Sequence, residues 1–197
     1  MLRGSLVKLT ALDEDRIELL RGWRTSPEVY NYLFDFDFIS REQQKAWFQN
    51  TLNDPSRKYL LIEDLASHPL GLVQMTKIDY RNRHAEWGFF IGNDRHRYGG
   101  HAAEAEFLLL RYAFDYLNFN KLSCLTFAFN QKVLSLHTRF GFHTEGVLKE
   151  HIYHHGKYED VAIMSIFQID YRKIKEYYAG FFQRFKKKAE KLEGYVQ

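Results

Sequence analysis

At 197 residues, with 45% hydrophobic and 27% charged residues, the chain has the length and composition of one globular domain around a single sizeable core. Its net charge of +3 is uneven: residues 171–197 hold eight Lys/Arg against three Asp/Glu, whereas residues 1–170 hold 20 against 22. A slightly acidic body excludes nucleic-acid binding by bulk charge, the single cysteine excludes an intrachain disulfide, and neither a membrane-length apolar run nor a signal-peptide core is present, so a cytoplasmic protein is expected.

In chain order, Ser5 to Thr10 reads as a strand. Asp13 caps a helix running to about Trp23, and Ser26-Pro27-Glu28 opens a second, short one. Ser40, with Gln43 three residues later, forms a capping box for a third helix that ends near Asn53. Strands over Lys58–Glu63, Gly71–Asp79 and His84–Ile91 follow, separated by the polar stretches Asp64–Pro69 and Tyr80–Arg83. A glycine-containing loop then opens a helix over Ala102–Leu117, in which Ala103, Phe107, Leu110, Ala113, Phe114 and Leu117 recur at helical spacing. Lys121–Phe129 reads as a buried strand holding Cys124, and Val133–Phe140 as a short helix closed by Gly141. Two last strands, Val147–His154 and Tyr158–Ile169, flank the tight-turn pair His155-Gly156. The sum over residues 1–170 is a mixed α/β (α+β) domain, with a mostly antiparallel sheet flanked by helices.

Residues 171–197 form a separate basic, amphipathic C-terminal helix in this reading. Tyr171, Ile174, Tyr178, Phe181, Phe185 and Leu192 fall at three-, four- and seven-residue steps, the seam of a helix pair. Such a seam docks on the body or, in a homodimer, on a second subunit; a membrane-surface helix is the other use of the pattern. The run Arg184-Phe185-Lys186-Lys187-Lys188 either attracts an anion or is a solvated helix face.

The segment richest in chemistry is Asp94-Arg95-His96-Arg97-Tyr98-Gly99-Gly100-His101-Ala102-Ala103-Glu104-Ala105, which follows a strand and opens a long helix. Unpaired amides and the positive end of the helix dipole make such a turn an anion site, and paired glycines let a phosphate approach the backbone. The same glycines also serve a plain strand-to-helix turn. No Gly-Lys-Ser/Thr follows, so the segment is not a P-loop.

Arg97-Tyr98-Gly99-Gly100-His101-Ala102 resembles the Arg/Gln-x-x-Gly-x-Gly/Ala signature of the GNAT acetyltransferases, and Ala103-Glu104-Ala105 is similar to the continuation in their RimJ/RimL-like branch. The resemblance implies acetyl-CoA as cosubstrate, its pyrophosphate held by Arg97 and by the amides of Tyr98, Gly99, Gly100, His101, Ala102 and Ala103. Ala85 to Gly92 resembles the family's central strand, which implies coenzyme contact at Phe89, Phe90 and Ile91. Asn130 to Phe142, ending Arg139-Phe140-Gly141-Phe142, resembles the stretch whose Asn binds the pantetheine arm, implying that role for Asn130. Asn130 also suits a simple helix cap.

Many members carry a Tyr seven residues beyond that Asn as general acid toward the leaving thiolate; here the position is His137. An imidazole is able to protonate a thiolate, or it packs against the coenzyme. Glu86 is the candidate base, since strand alternation aims it at the cleft or leaves it on a hairpin surface. A non-catalytic module that keeps the fold and only binds the coenzyme is the alternative that a missing acid allows. His151, His154 and His155 have no Cys or Glu partner at ligand spacing, so no metal is expected.

For the acceptor amine, Leu20 to Val29, Ile39 to Phe48, Glu145 to His151 and Gly156 to Val161 resemble the PseH-type group that acetylates UDP-linked 4-amino sugars. A nucleotide-linked amino sugar needs cations for its diphosphate and an aromatic surface, and Trp23, Arg24, Lys77, Arg81 and Arg83 are the candidates. Arg81 and Arg83 equally well solvate a hairpin turn. A polyamine, which asks for a clearly acidic cleft that Asp35 and Asp37 are too few to make, and a protein N-terminal amine are the alternatives.

Overall fold

A computed structural model describes residues 1–35, 39–92 and 100–193, the last six by helical backbone alone. Its strands are β1 (Leu2–Arg3), β2 (Val7–Ala11), β3 (Lys58–Asp64), β4 (Pro69–Asp79), β5 (His84–Ile91), β6 (Lys121–Phe127), β7 (His143–His154) and β8 (Lys157–Phe167). They form one sheet in the order β1-β2-β3-β4-β5-β6-β8-β7. Every neighbouring pair is antiparallel except β5 and β6. The mixed, mostly antiparallel architecture is therefore the observed one.

The helices are α1 (Ile17–Arg24), α2 (Pro27–Tyr30), α3 (Arg41–Leu52), α4 (His101–Arg111), α5 (Gln131–Arg139) and α6 (Gln168–Glu193). Ser40 and Gln43 make the expected capping box at α3, and Asp13 accepts the Arg16 N–H at a 3-10 turn leading into α1. α4 ends in a π-turn over Tyr112–Tyr116, where the periodic pattern had implied uninterrupted helix to Leu117. His155 and Gly156, at φ +50° and +84°, make the β7–β8 turn.

The sheet separates two cores. α4 and α6 cover one face, with Trp87, Phe107, Leu109, Phe114, Phe140 and Phe182 buried beneath them. α1 and α3 cover a smaller patch on the other, where Leu20 and Phe48 meet Leu61 and Leu72. Alternation along β5 splits its side chains accordingly: Ala85, Trp87, Phe89 and Ile91 join the first core, Phe90 the second.

α6 begins at Gln168 directly after β8, so the expected boundary at 170/171 falls inside a helix. Its apolar stripe lies against the body. Tyr171 stacks on Phe114 with centroids 5.1 Å apart and donates its hydroxyl hydrogen to Asp115, while Tyr178 packs on Phe140 at 4.3 Å and donates to the Arg139 carbonyl. Burial, with the Asp115 bond, keeps the Tyr171 phenol protonated well above its ordinary range. No helix among the described residues is long and apolar enough to cross a membrane.

Candidate active site

β5 pairs with β4 along its length, from His84 to Ile91, but with β6 only at His84, Ala85 and Glu86. Beyond Glu86 the two parallel strands part. Residues 87–90 thus offer a backbone edge beyond the β5–β6 ladder in the middle of the sheet, a place where an extended amide-containing chain can add itself as a strand.

That edge leads toward the start of α4. Gly100, at φ +82°, is its N-cap residue and has no side chain with which to cap the first turn, which begins at His101, Ala102 and Ala103. Arg97, Tyr98 and Gly99 lie outside the described residues. Behind the turn, Glu104 is nearly fully buried and accepts the amide hydrogens of Ser5, Leu6 and Val7 at 2.6, 2.5 and 2.8 Å. A Cβ on Gly4 would come within 2.5 Å of that carboxyl group, so the N-terminal loop needs a glycine there. Glu104 therefore ties β2 to the first turn of α4 and spends its charge on amides. Sequence reading had placed it only within the family motif, without a role.

Asn130 caps α5, its Oδ1 accepting the Val133 N–H at 3.4 Å. His137, on α5, is 2% exposed and faces inward. Its ring sits among Trp87, Phe89 and Phe142, and Nδ1 is 2.9 Å from a carboxylate oxygen of the wholly buried Glu106. Burial opposes charge on both groups. The Glu106 charge outweighs it at the imidazole, helped by a hydrogen bond with Cys124, and raises its pKa to about 10, while burial pushes the Glu106 carboxyl up. The imidazole is thus committed to a buried proton-sharing pair, a placement that favours a structural role over proton donation to a thiolate.

On the opposite face of the sheet, α1, the segment after α2 and α3 wall a cleft of about 650 Å³ whose floor is β3, β4, β5 and β6. Glu86 lies on this floor, at the last position before β5 and β6 diverge, with Thr76 opposite it on β4 and Ser123 on β6. Tyr32, Phe34, Trp47, Tyr59 and Phe90 supply aromatic surface. Phe34 packs edge-on to Phe127 at 4.8 Å and Trp47 to Tyr59 at 4.8 Å, so the walls are held by the sheet itself.

The five acceptor-site candidates separate. Arg24 lines the cleft and pairs with Asp35 at 3.6 Å. Trp23 buttresses the wall from behind, its ring 6.4 Å from Phe90 and pressed on Gly92. Lys77 sits at a β-bulge with φ +48°, and its ammonium reaches Glu86 at 2.8 Å. Arg81 and Arg83 are exposed at the β4–β5 turn and do not line the cleft. The Arg83 carbonyl accepts hydrogen bonds from Asn120 and Lys121 and so aligns β6. Tyr32, Phe34, Trp47 and Tyr59 escaped the sequence reading, although the aromatic run around residues 30–36 was a visible signal. Of the histidine cluster, His155 bonds Asn31 at 2.8 Å and His154 packs between Phe127 and Phe129. Among the described residues no three His, Cys, Asp or Glu side chains converge as a metal site would require.

Comparison with known proteins agrees with this geometry. Residues 6–143 match the family model described as an acetyltransferase (GNAT) domain. The chain is 27% identical over 168 residues to a spermidine N(1)-acetyltransferase of Vibrio cholerae, covering 85% of this chain and 96% of that one. It is 25% identical over 138 residues to the acetyltransferase PseH of Campylobacter jejuni, covering 70% and 83%. The crystal structure of the V. cholerae spermidine N-acetyltransferase in complex with CoA and spermine superimposes with a TM-score of 0.81 over 85% of this chain and 99% of that one, at 27% identity.

Proposed function

The chain belongs to the GNAT acetyltransferase family, and from that premise we propose that it acetylates a primary amine of a polyamine. Acetyl-CoA-dependent N-acetyl transfer is the activity of the family. The acceptor is the part that rests on this cleft. The observation that carries it is an aromatic cleft with Glu86 on its floor and Asp35 on its wall, beside the splay of β5 and β6. Aromatic faces and carboxylates bind alkylammonium groups through cation–π attraction and ion pairing.

The amino-sugar expectation yields to this one for a physical reason. Arg81 and Arg83, assigned to a diphosphate, are exposed at the β4–β5 turn and do not line the cleft. The more similar relatives also include spermidine acetyltransferases, with PseH matching over a shorter part of the chain.

Acetyl-CoA would lie along β5 at Phe89, Phe90 and Ile91, its pyrophosphate at the first turn of α4 and its arm beside Asn130, and it would supply the activated thioester. Amides at the divergence of β5 and β6 polarise a carbonyl placed there. Glu86 accepts a proton from the incoming ammonium, directly or through one water, so that a neutral amine attacks. With His137 shut away, the leaving thiolate takes its proton from water or from the amine being acylated.

Thiol release from acetyl-CoA, measured with spermidine, a UDP-linked 4-amino sugar and a peptide with a free N-terminus, tests the proposal. Saturable turnover with spermidine alone is expected. Turnover confined to the sugar or the peptide would overturn the polyamine assignment while keeping acetyl transfer.

A further inference from the structure

One wall of the acceptor cleft, Tyr32, Leu33, Phe34 and Asp35, is neither helix nor strand. The amides of Tyr32 and Leu33 still bond the carbonyls of Val29 and Tyr30, closing the turn that ends α2. Beyond them the wall takes its position from side-chain contacts.

Those contacts come from the C-terminal half of the sheet. Phe34 packs edge-on to Phe127 at the end of β6, and Tyr32 lies 6.2 Å from Phe129 just after it. The tip of the β7–β8 hairpin supplies the rest. The Nε2–H of His155 donates to Asn31 Oδ1 at 2.8 Å, joining positions 124 apart in the chain, and its ring lies 5.7 Å from that of Tyr30. The neighbouring His154 packs against Phe127 and Phe129 and hydrogen-bonds the backbone of Tyr30. At the other end of the wall Arg24 pairs with Asp35, an exposed and therefore weak tie. α1 and α3, by contrast, rest on β3 and β4. The segment thus bridges the two halves of the sheet across the line where β5 and β6 part.

We propose that the β7–β8 turn latches the acceptor cleft, with His155 as the positioning residue that fixes the wall carrying Tyr32, Phe34 and Asp35. Neither His155 nor Asn31 lines the cleft, so His155 acts on the amine only through the wall it holds. Its backbone, at φ +50° in a tight turn, suits Asn or Gly; the bond to Asn31 is what a histidine adds there. A wall fixed before the amine arrives presents its aromatic faces and carboxylate without having to order them on binding. The proposal rests on the reading above that the amine enters this cleft.

The test uses the full chain with His155→Gly, which removes the bond and leaves the turn unstrained, Asn31→Ala, the double variant, and His155→Gln, whose amide nitrogen takes the place of Nε2. Steady-state kinetics with spermidine, calorimetry with CoA and amide hydrogen exchange are the readouts. His155→Gly should raise the KM for spermidine on the order of tenfold, with kcat within about twofold and the Kd for CoA unchanged. Asn31→Ala should match it, the double variant should be no worse than either, and His155→Gln should restore most of the loss. Exchange at Tyr30 to Leu33, whose amides bond the carbonyls of Ser26, Pro27, Val29 and Tyr30, should quicken while that of β3 and β4 stays as it was. Unchanged exchange at Tyr30 to Leu33 in His155→Gly would refute the latch. Faster exchange with an unmoved KM would refute its service to the acceptor, as would a Kd for CoA that rises in step with KM. A wild-type chain that turns over the sugar or the peptide in place of spermidine overturns the polyamine reading alone; the latch is then decided by exchange and by the KM for that acceptor.

Discussion

At the scale of single residues, Glu86 and His137 illustrate how position along the chain differs from position in the site. Glu86 lies where β5 loses contact with β6, open to the cleft. Glu86→Gln should lower kcat about 100-fold, the low end for loss of a general base, with the calorimetric Kd for CoA unchanged. His137, buried on Glu106, acts instead on stability. Both groups hold their protons to higher pH in the folded protein than in the unfolded chain. The contribution of His137 is therefore complete below the ordinary imidazole pKa of 6.5 and is lost as pH rises toward about 10, whereas that of Glu106 is complete only below its ordinary carboxyl value of 4.5. Denaturant unfolding between these limits should show stability falling with pH, and Glu106→Gln should flatten that slope. A wild-type protein whose stability is level across the window would contradict the assignment. Tyr178, near Glu106 and itself raised by burial, releases its proton above its ordinary value of 10.0 and so does not confuse the window.

At the scale of elements, two anchors hold the start of α4. Glu104 receives three N–H groups from the N-terminal loop, and Glu104→Ala would leave these amides unpaired inside the protein. A loss of roughly 3 kcal/mol is expected by chemical denaturation, with weaker CoA binding because the turn is no longer braced. An isosteric Glu104→Gln keeps part of the bonding and should lie between. On the other side, Phe182 fills the seam between α4 and α6, and Phe182→Ala should cost about 3–5 kcal/mol. The stripe that implied a helix pair was legible because heptad spacing is local. Its partner was not, since nothing in residues 171–185 says which helix lies opposite.

For the molecule as a whole, α6 is part of the core and not an appendage. Phe107, Phe114 and Phe140 are buried partly by Tyr171, Tyr178 and Phe182, and these contacts are made within one chain. Truncation after Asp170 should accordingly yield a protein that binds a hydrophobic dye and aggregates, as judged by fluorescence and light scattering. A truncated chain that stays folded and merely shifts from dimer to monomer would instead place the seam between subunits.

Caps, turn pairs and periodic stripes are written in neighbouring residues, so the sequence alone determined the Ser40 capping box, the His155-Gly156 turn, the order of the longer strands and helices, and the family. It also marked Glu86 and Asn130, because strand alternation and capping act over a few positions. It did not determine the acceptor cleft. Arg24, Phe34, Trp47, Tyr59, Glu86 and Leu125 meet there only because sheet pairing and helix docking bring six distant segments to one face. The same holds for His137, whose character was decided by Glu106, 31 positions away, and for α6, whose apolar stripe meets its partner only in the helix it crosses. Local chemistry selects each element, but which surfaces face one another depends on burying apolar area over the whole chain, and that is settled only in the folded molecule.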